Sequence, residues 1–246
     1  MVYIRSTIYF FITLVLTTLV LPMMLASMLL PFSVRYFFAE LWSRLALWNL
    51  KIICGLTHEI TGQENVPIDR NVIVLCKHQS AWETIAAQVM FPMHTFLLKK
   101  ELLRLPIWGW AMATLEPIAI NRNDRKAALK SLIKQGTLCL NKGLWLIVFP
   151  EGTRMAPGTK GKFNAGGSYL AHKTDTPVIP VAHNAGEFWP PRSFLKYPGK
   201  ITVKIGPLLE STNRKASDLN AEAEIWIDNA MQEISNPVYT AKNNGL

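Results

Sequence analysis

Cysteine is scarce. Cys54, Cys76 and Cys139 are the three in 246 residues, widely spaced and in no metal-binding or redox pair, so they read as small buried residues of a reducing compartment. No His-Glu-x-x-His pair sets two metal ligands on one helix face, so the sequence places no metal site. A Gly-x-Ser-x-Gly elbow is missing too, and with it the usual signature of a serine-ester intermediate. There is no internal repeat and no low-complexity segment. Acidic residues are few: 17 Asp and Glu against 26 Lys and Arg give a formal net charge of +9.

Charge is absent altogether near the N-terminus. From Ser6 to Val34 runs an uncharged stretch of 29 residues, bounded by Arg5 and Arg35. As one straight helix it would be roughly 43 Å long, against roughly 30 Å of bilayer hydrocarbon. Pro22 and Pro31 interrupt it, and up to Leu21 only 16 uncharged residues are available, so an in-plane helix competes with a spanning one. Arg5 alone makes a poor signal-peptide n-region, and no small-residue cleavage site follows. Val34 to Ile53 is amphipathic. Glu40, Arg44 and Lys51 fall within about 40° on a helical projection, with Phe37, Leu41, Leu45, Trp48 and Ile52 on another side. Membrane contact is the expectation, with a greasy core helix as the bland alternative. If the run crosses, Arg35, Arg44 and Lys51 against Arg5 leave the main domain on the cytoplasmic side.

After Gly55 short apolar runs alternate with helical patterns. Strands are predicted at Ile73 to Leu75, Thr95 to Leu98, Pro117 to Ile120, Leu144 to Phe149, Val178 to Ala182 and Ile201 to Ile205. Helices are predicted at Ala81 to Met90, Asp124 to Leu140, Asn164 to His172 and Leu219 to Ile234. The alternation implies an α/β fold, a mainly parallel central sheet flanked by helices and preceded by a hydrophobic two-helix segment. The expected organisation is an anchor over residues 1–57, an α/β domain over 58–235 and a loose tail over 236–246.

The chemistry concentrates after predicted strands. Lys77-His78-Gln79-Ser80-Ala81-Trp82-Glu83 follows the run ending at Leu75, where open α/β sheets keep their sites. Five helical steps would turn His78 and Glu83 roughly 140° apart, so they meet only if His78 lies in the turn and Glu83 in the first helical turn. There the carboxylate fixes the imidazole tautomer and leaves the other nitrogen as a general base. The bland alternative is a capping box, with Ser80 and Glu83 satisfying helix donors and nothing more. Phe149-Pro150-Glu151-Gly152-Thr153-Arg154 follows another strand; Gly152 permits a tight turn and Arg154 offers a planar fork suited to phosphate, though alone it is simply a turn. Lys99, Lys100 and Arg122 also lie just past predicted strands. From Thr95 to Asp175 there are 13 Lys and Arg against 5 Asp and Glu, which suits anionic lipid or a phosphorylated substrate. No nucleic-acid reading motif or aromatic platform accompanies that charge.

The order and spacing of these segments resemble the lysophosphatidic acid acyltransferase family of membrane glycerolipid acyltransferases, over roughly Val66 to Leu209. His78 and Glu83 match the family's His-four residues-Asp motif, with Glu for Asp. Lys99, Lys100, Leu103, Pro106, Gly109 and Arg122 match its second block, Phe149 to Arg154 its third without change, and Pro177 to Val181 its fourth. Lys77 stands where Asn is frequent, and Glu116 where glycine is common.

The resemblance implies transfer of a fatty acyl group from acyl-CoA or acyl carrier protein to the free hydroxyl of a lysophospholipid, with no other cofactor and no metal. His78 would be the base and Glu83 its support. Lys99, Lys100, Arg122 and Arg154 would hold the acceptor phosphate, while Glu151, Gly152 and Thr153 would shape its pocket. The implied partners are membrane lipids and these two substrates, and the implied location is the bacterial inner membrane with the catalytic domain on the cytoplasmic side. Acylation of glycerol-3-phosphate or another lipid hydroxyl is the alternative within the family. A metal-dependent phospholipid hydrolase and a silent membrane adaptor are the readings outside it.

Overall fold

The computed structural model describes residues 1–121, 123–236 and 240–241. Two helices open the chain, α1 (Val2–Ala26) and α2 (Phe32–Asn49), the latter running into a π-helical turn over Leu50–Cys54. The α/β part follows as β1 (Leu56–Thr61), β2 (Ile73–Cys76), α3 (Trp82–Met90), β3 (His94–Lys99), α4 (Trp108–Ala113), β4 (Ile118–Ile120), α5 (Arg125–Asn141) and β5 (Trp145–Val148). The remainder is β6 (Thr159–Lys160), α6 (Gly166–Thr174), β7 (Val178–His183), α7 (Ala185–Phe188), β8 (Gly199–Ile205), α8 (Ala216–Ile234) and β9 (Thr240–Ala241). The tail expected over 236–246 lies mostly outside the described residues.

Seven strands form one sheet in the order β1-β8-β7-β2-β5-β3-β4. Every neighbouring pair is parallel except β7 and β8. The mainly parallel α/β fold expected from the alternating pattern is therefore present. Each predicted strand and helix is found within a few residues of its expected bounds. β1, with the sequence Leu-Thr-His-Glu-Ile-Thr, escapes an apolar-run criterion because it is an edge strand with His58, Glu59 and Thr61 exposed. Asp124 starts α5 by accepting the Ala127 N–H at 3.0 Å.

The two faces of the sheet bury different layers. Val74, Cys76 and Ile147 pack with Trp82 of α3 and with Tyr9, Leu50 and Cys54 of the N-terminal segment. Ile73, Leu75, Leu146 and Val148 pack with Leu132 and Leu140 of α5, Leu170 of α6 and Leu219 of α8. Each such buried apolar side chain contributes about 1.5–3 kcal/mol.

The first N-terminal helix departs from the sequence reading, and the second narrows it. α1 continues through Pro22 to Ala26, because the proline falls near the end of a 25-residue helix and removes one bond among many. In α2 Phe37 at 57% and Trp48 at 59% exposed point outward, as does Ile52 in the following turn at 62%, while Phe38, Trp42 and Leu47 pack partly against the rest of the protein. The buried stripe is Tyr36, Ala39, Ser43, Ala46 and Asn49. Smaller residues let the helix approach the domain closely, and the greasy side is left free.

Candidate active site

β2 and β5 are parallel neighbours with Leu75 opposite Val148, so the residues three positions on, His78 and Glu151, emerge together at the C-terminal edge. β7 flanks β2 on the other side with Val181 opposite Cys76, which brings His183 to the same edge. In the turn after β2 the Nδ1 of His78 lies 2.7 Å from Oε1 of Glu83. That oxygen also accepts the backbone N–H groups of Gln79 and Ser80, both at 2.9 Å. One carboxylate oxygen thus both contacts the imidazole and takes the N–H groups at the start of α3. Ser80 Oγ accepts the Trp82 N–H at 3.2 Å rather than completing the box on Glu83.

With its Nδ1–H donated to a carboxylate, His78 is left with Nε2 as a proton acceptor. The imidazole is stacked on Phe149 with ring centres 4.1 Å apart. Burial would raise the pKa of Glu83, but His183, His78 and the Ser80 N–H outweigh it and hold the carboxyl below its ordinary range. His183 Nε2 donates to the Lys77 carbonyl at 2.8 Å, lies 3.9 Å from Glu83 Oε2, and takes the Ala185 N–H on Nδ1 at 3.3 Å. Burial lowers its pKa against the pull of Glu83. Behind the turn, Glu151 pairs with Lys77 and accepts the His78 N–H at 3.0 Å. Gly152 has φ +70, the left-handed conformation that closes the turn after β5, and its N–H bonds to the Phe149 carbonyl at 3.0 Å.

Two cavities flank this turn. One of about 400 Å³ lies among α1, α2, α3 and α4 and is lined mainly by apolar side chains such as Leu14, Trp42, Ile85 and Met112, with Arg154 and Lys196 among its cations. The other, of about 480 Å³, lies among α5, α6 and the Pro150–Thr153 turn, with Phe149, Glu151, Leu129 and Leu132 in its wall. Residues 57–184 match the family model described as Acyltransferase, about half of the chain. The chain is 46% identical over 211 residues to a 1-acyl-sn-glycerol-3-phosphate acyltransferase of Pseudomonas aeruginosa, spanning 84% of this chain and 82% of that protein. The chain belongs to the acyltransferase family.

Identity to a chloroplastic 1-acyl-sn-glycerol-3-phosphate acyltransferase of Brassica napus is 29% over 148 residues, 60% of this acyltransferase and 41% of the plant protein. The fold matches the crystal structure of the 1-acyl-sn-glycerophosphate acyltransferase PlsC of Thermotoga maritima with a TM-score of 0.80 at 24% identity, over 94% of this chain and 95% of that one.

Of the residues singled out in this acyltransferase's sequence, His78, Glu83 and Glu151 meet directly, and Gly152 shapes the turn that carries Glu151. Thr153 and Arg154 are exposed and face different cavities, Thr153 the larger and Arg154 the apolar one. Lys99 ends β3 and lies 3.8 Å from Glu101, and Lys100 begins the next turn; neither bonds to His78, Glu83 or Arg154 among the described residues. Arg122 lies outside the described residues. Glu151 turns its carboxylate inward to Lys77 and the His78 peptide, so its contacts hold the turn that carries His78. Glu116 has φ +49, which explains why glycine suits that position; its carboxylate is held by Arg35 at 2.8 Å and Lys142 at 2.6 Å.

Two residues, His183 and Lys196, escaped the sequence reading, and Lys77 entered it only as a departure from the family pattern. His183 and Lys77 matter through neighbours on other strands, and only the sheet register could have signalled that. Lys196 is buried with its ammonium 4.7 Å from the centre of the Trp189 ring and 5.2 Å from that of Tyr9, tying α1 to the domain.

Proposed function

We propose that this acyltransferase moves a fatty acyl group from a thioester, acyl-CoA or acyl carrier protein, to the free hydroxyl of lysophosphatidic acid, giving phosphatidic acid. The observation that carries the reading is the 2.7 Å contact between His78 Nδ1 and Glu83, which leaves Nε2 as the proton acceptor of a ring stacked on Phe149, itself part of the wall of the 480 Å³ cavity. Nε2 takes the hydroxyl proton as the oxygen forms its bond to the thioester carbonyl carbon. The carbon–sulfur bond then breaks, and the departing thiolate takes the proton back from the imidazolium. Glu83 stabilises that imidazolium, and no acyl-enzyme intervenes. The apolar cavity suits acyl chains, and Arg154 in its wall suits the acceptor phosphate.

The membrane reading rests on surface chemistry. Val2–Leu29 is long and apolar enough to cross a bilayer, yet Ser6, Tyr9, Val20 and Met24 are packed against the rest of the protein along its length. A helix clasped in this way lies in the plane of one leaflet, with Phe11, Val15 and Leu19 of α1, Phe37 and Trp48 of α2 and Trp110 of α4 turned to lipid. The membrane in this reading is the bacterial inner membrane, with the site on its cytoplasmic side as the family resemblance implies.

Thiol release measured with a panel of lyso acceptors and both donor types tests the reaction. Turnover should be greatest with lysophosphatidic acid, and His78→Ala should lower kcat about 10²–10⁴-fold. Wild-type turnover by that variant would dismiss the base.

A further inference from the structure

α5 carries Lys126, Lys130 and Lys134 at every fourth position, all exposed, with no acidic residue anywhere in the helix. None of the three makes an ion pair among the described residues. On three successive turns they form a stripe about 12 Å long. Two further observations give the stripe a direction. First, α5 packs on the sheet face built from Leu75, Leu146 and Val148, whereas Tyr9, Leu50 and Cys54 of the N-terminal segment pack on the other. The stripe therefore lies away from the layer proposed to meet lipid. Second, Leu129, which precedes Lys130 in the chain and is exposed at the edge of the cavity-facing side of α5, lines the 480 Å³ cavity together with Phe149, the ring stacked on His78.

We infer that this face of α5 docks the acyl donor in the form of a small acidic carrier protein, whose flexible thioester arm enters the 480 Å³ cavity beside Phe149 and Gly152. The inference rests on the proposed acyl transfer and adds which donor is used and where it sits. A convex row of ammonium groups fits the extended acidic face of another protein; a nucleotide's clustered phosphates need donors converging in a hollow. The membrane-side cavity is then left to the lipid acceptor, so the two substrates approach the base from opposite faces of the sheet.

The test is the triple variant Lys126→Glu, Lys130→Glu, Lys134→Glu, assayed for thiol release with acyl carrier protein and with acyl-CoA at several salt concentrations. The KM for the carrier thioester should rise at least about tenfold and lose its salt dependence, while that for acyl-CoA stays within about twofold and serves as the folding control. Equal rises for both donors would place nucleotide phosphates on the stripe and overturn the inference, as would no change for either. Loss of binding to anionic phosphatidylglycerol vesicles with both KM values kept would assign the stripe to lipid and overturn it too. Wild-type turnover with acyl-CoA but none with the carrier overturns the docking alone and leaves the proposed reaction standing. No turnover with either donor overturns the reaction, and the docking with it.

Discussion

Lys77 and Glu151, 74 residues apart in the chain, form an ion pair with side chains only 1% and 4% exposed. The other oxygen of Glu151 accepts the His78 N–H, so the turn after β5 grips the peptide that carries His78, the proposed base. Burial makes this pair asymmetric in its consequences. Both charges are out of water, and either one alone would be left without its counter-charge.

Lys77→Met should accordingly destabilise the protein by about 3–5 kcal/mol, read as a fall in the denaturant midpoint. Adding Glu151→Gln should restore part of that stability, since the double variant buries no lone charge. A single variant as stable as the wild type would mean that the pair does not hold the turn.

Variants at Glu83 separate its proposed catalytic role from helix capping. Glu83→Gln retains an oxygen that can accept the Gln79 and Ser80 N–H groups but loses the charge facing the imidazolium. Its kcat should fall by about 10² or more with little change in Tm. Glu83→Ala should lose both, with about 1 kcal/mol of stability gone with the cap. If the glutamine variant keeps full kcat, the carboxylate is a cap and nothing else.

His183 is a positioning residue, acting through the Lys77 carbonyl and Glu83. His183→Phe should lower kcat with the acceptor KM nearly unchanged, whereas His183→Gln, which keeps a donor, should recover most of the loss. Equal loss of kcat in both variants, or a loss carried by KM, would count against that role.

His94 gives a pH signature. It is fully buried, held at Nδ1 by Tyr36 Oη and the Pro92 carbonyl, both at 2.9 Å, and burial lowers its pKa from 6.5 to about 4. The unfolded chain takes up that proton near 6.5 and the folded one only near 4, so the unfolded state binds more protons between them. Stability is therefore full above 6.5 and declines as the pH falls towards 4, by about 3 kcal/mol from this residue. Denaturant midpoints across that range should show the decline, and His94→Gln should flatten it. A slope unchanged in the variant would place its origin elsewhere.

The parallel strands were legible because a strand covered on both faces reads as a short apolar run, as in Ile73-Val-Leu and Trp145-Leu-Ile-Val. β1 was not, since its edge position leaves polar residues along it. For α2 the helical period was readable but its direction was not. Phe37 and Trp48 read as an apolar side that either a membrane or a core could cover, and only the packing of Tyr36, Ala39 and Ala46 against the domain shows that they face outward.

By itself the sequence determined the α/β alternation, the uncharged N-terminal helix and the local pairing of His78 with Glu83, because these depend on residues within a few positions of one another. Tertiary structure alone decided that Glu151 faces Lys77, that His183 stands behind Glu83, and that the Pro150–Arg154 turn divides two cavities. Those relations depend on strand register, which sets side by side residues separated by scores of positions in the chain and leaves no trace in local spacing.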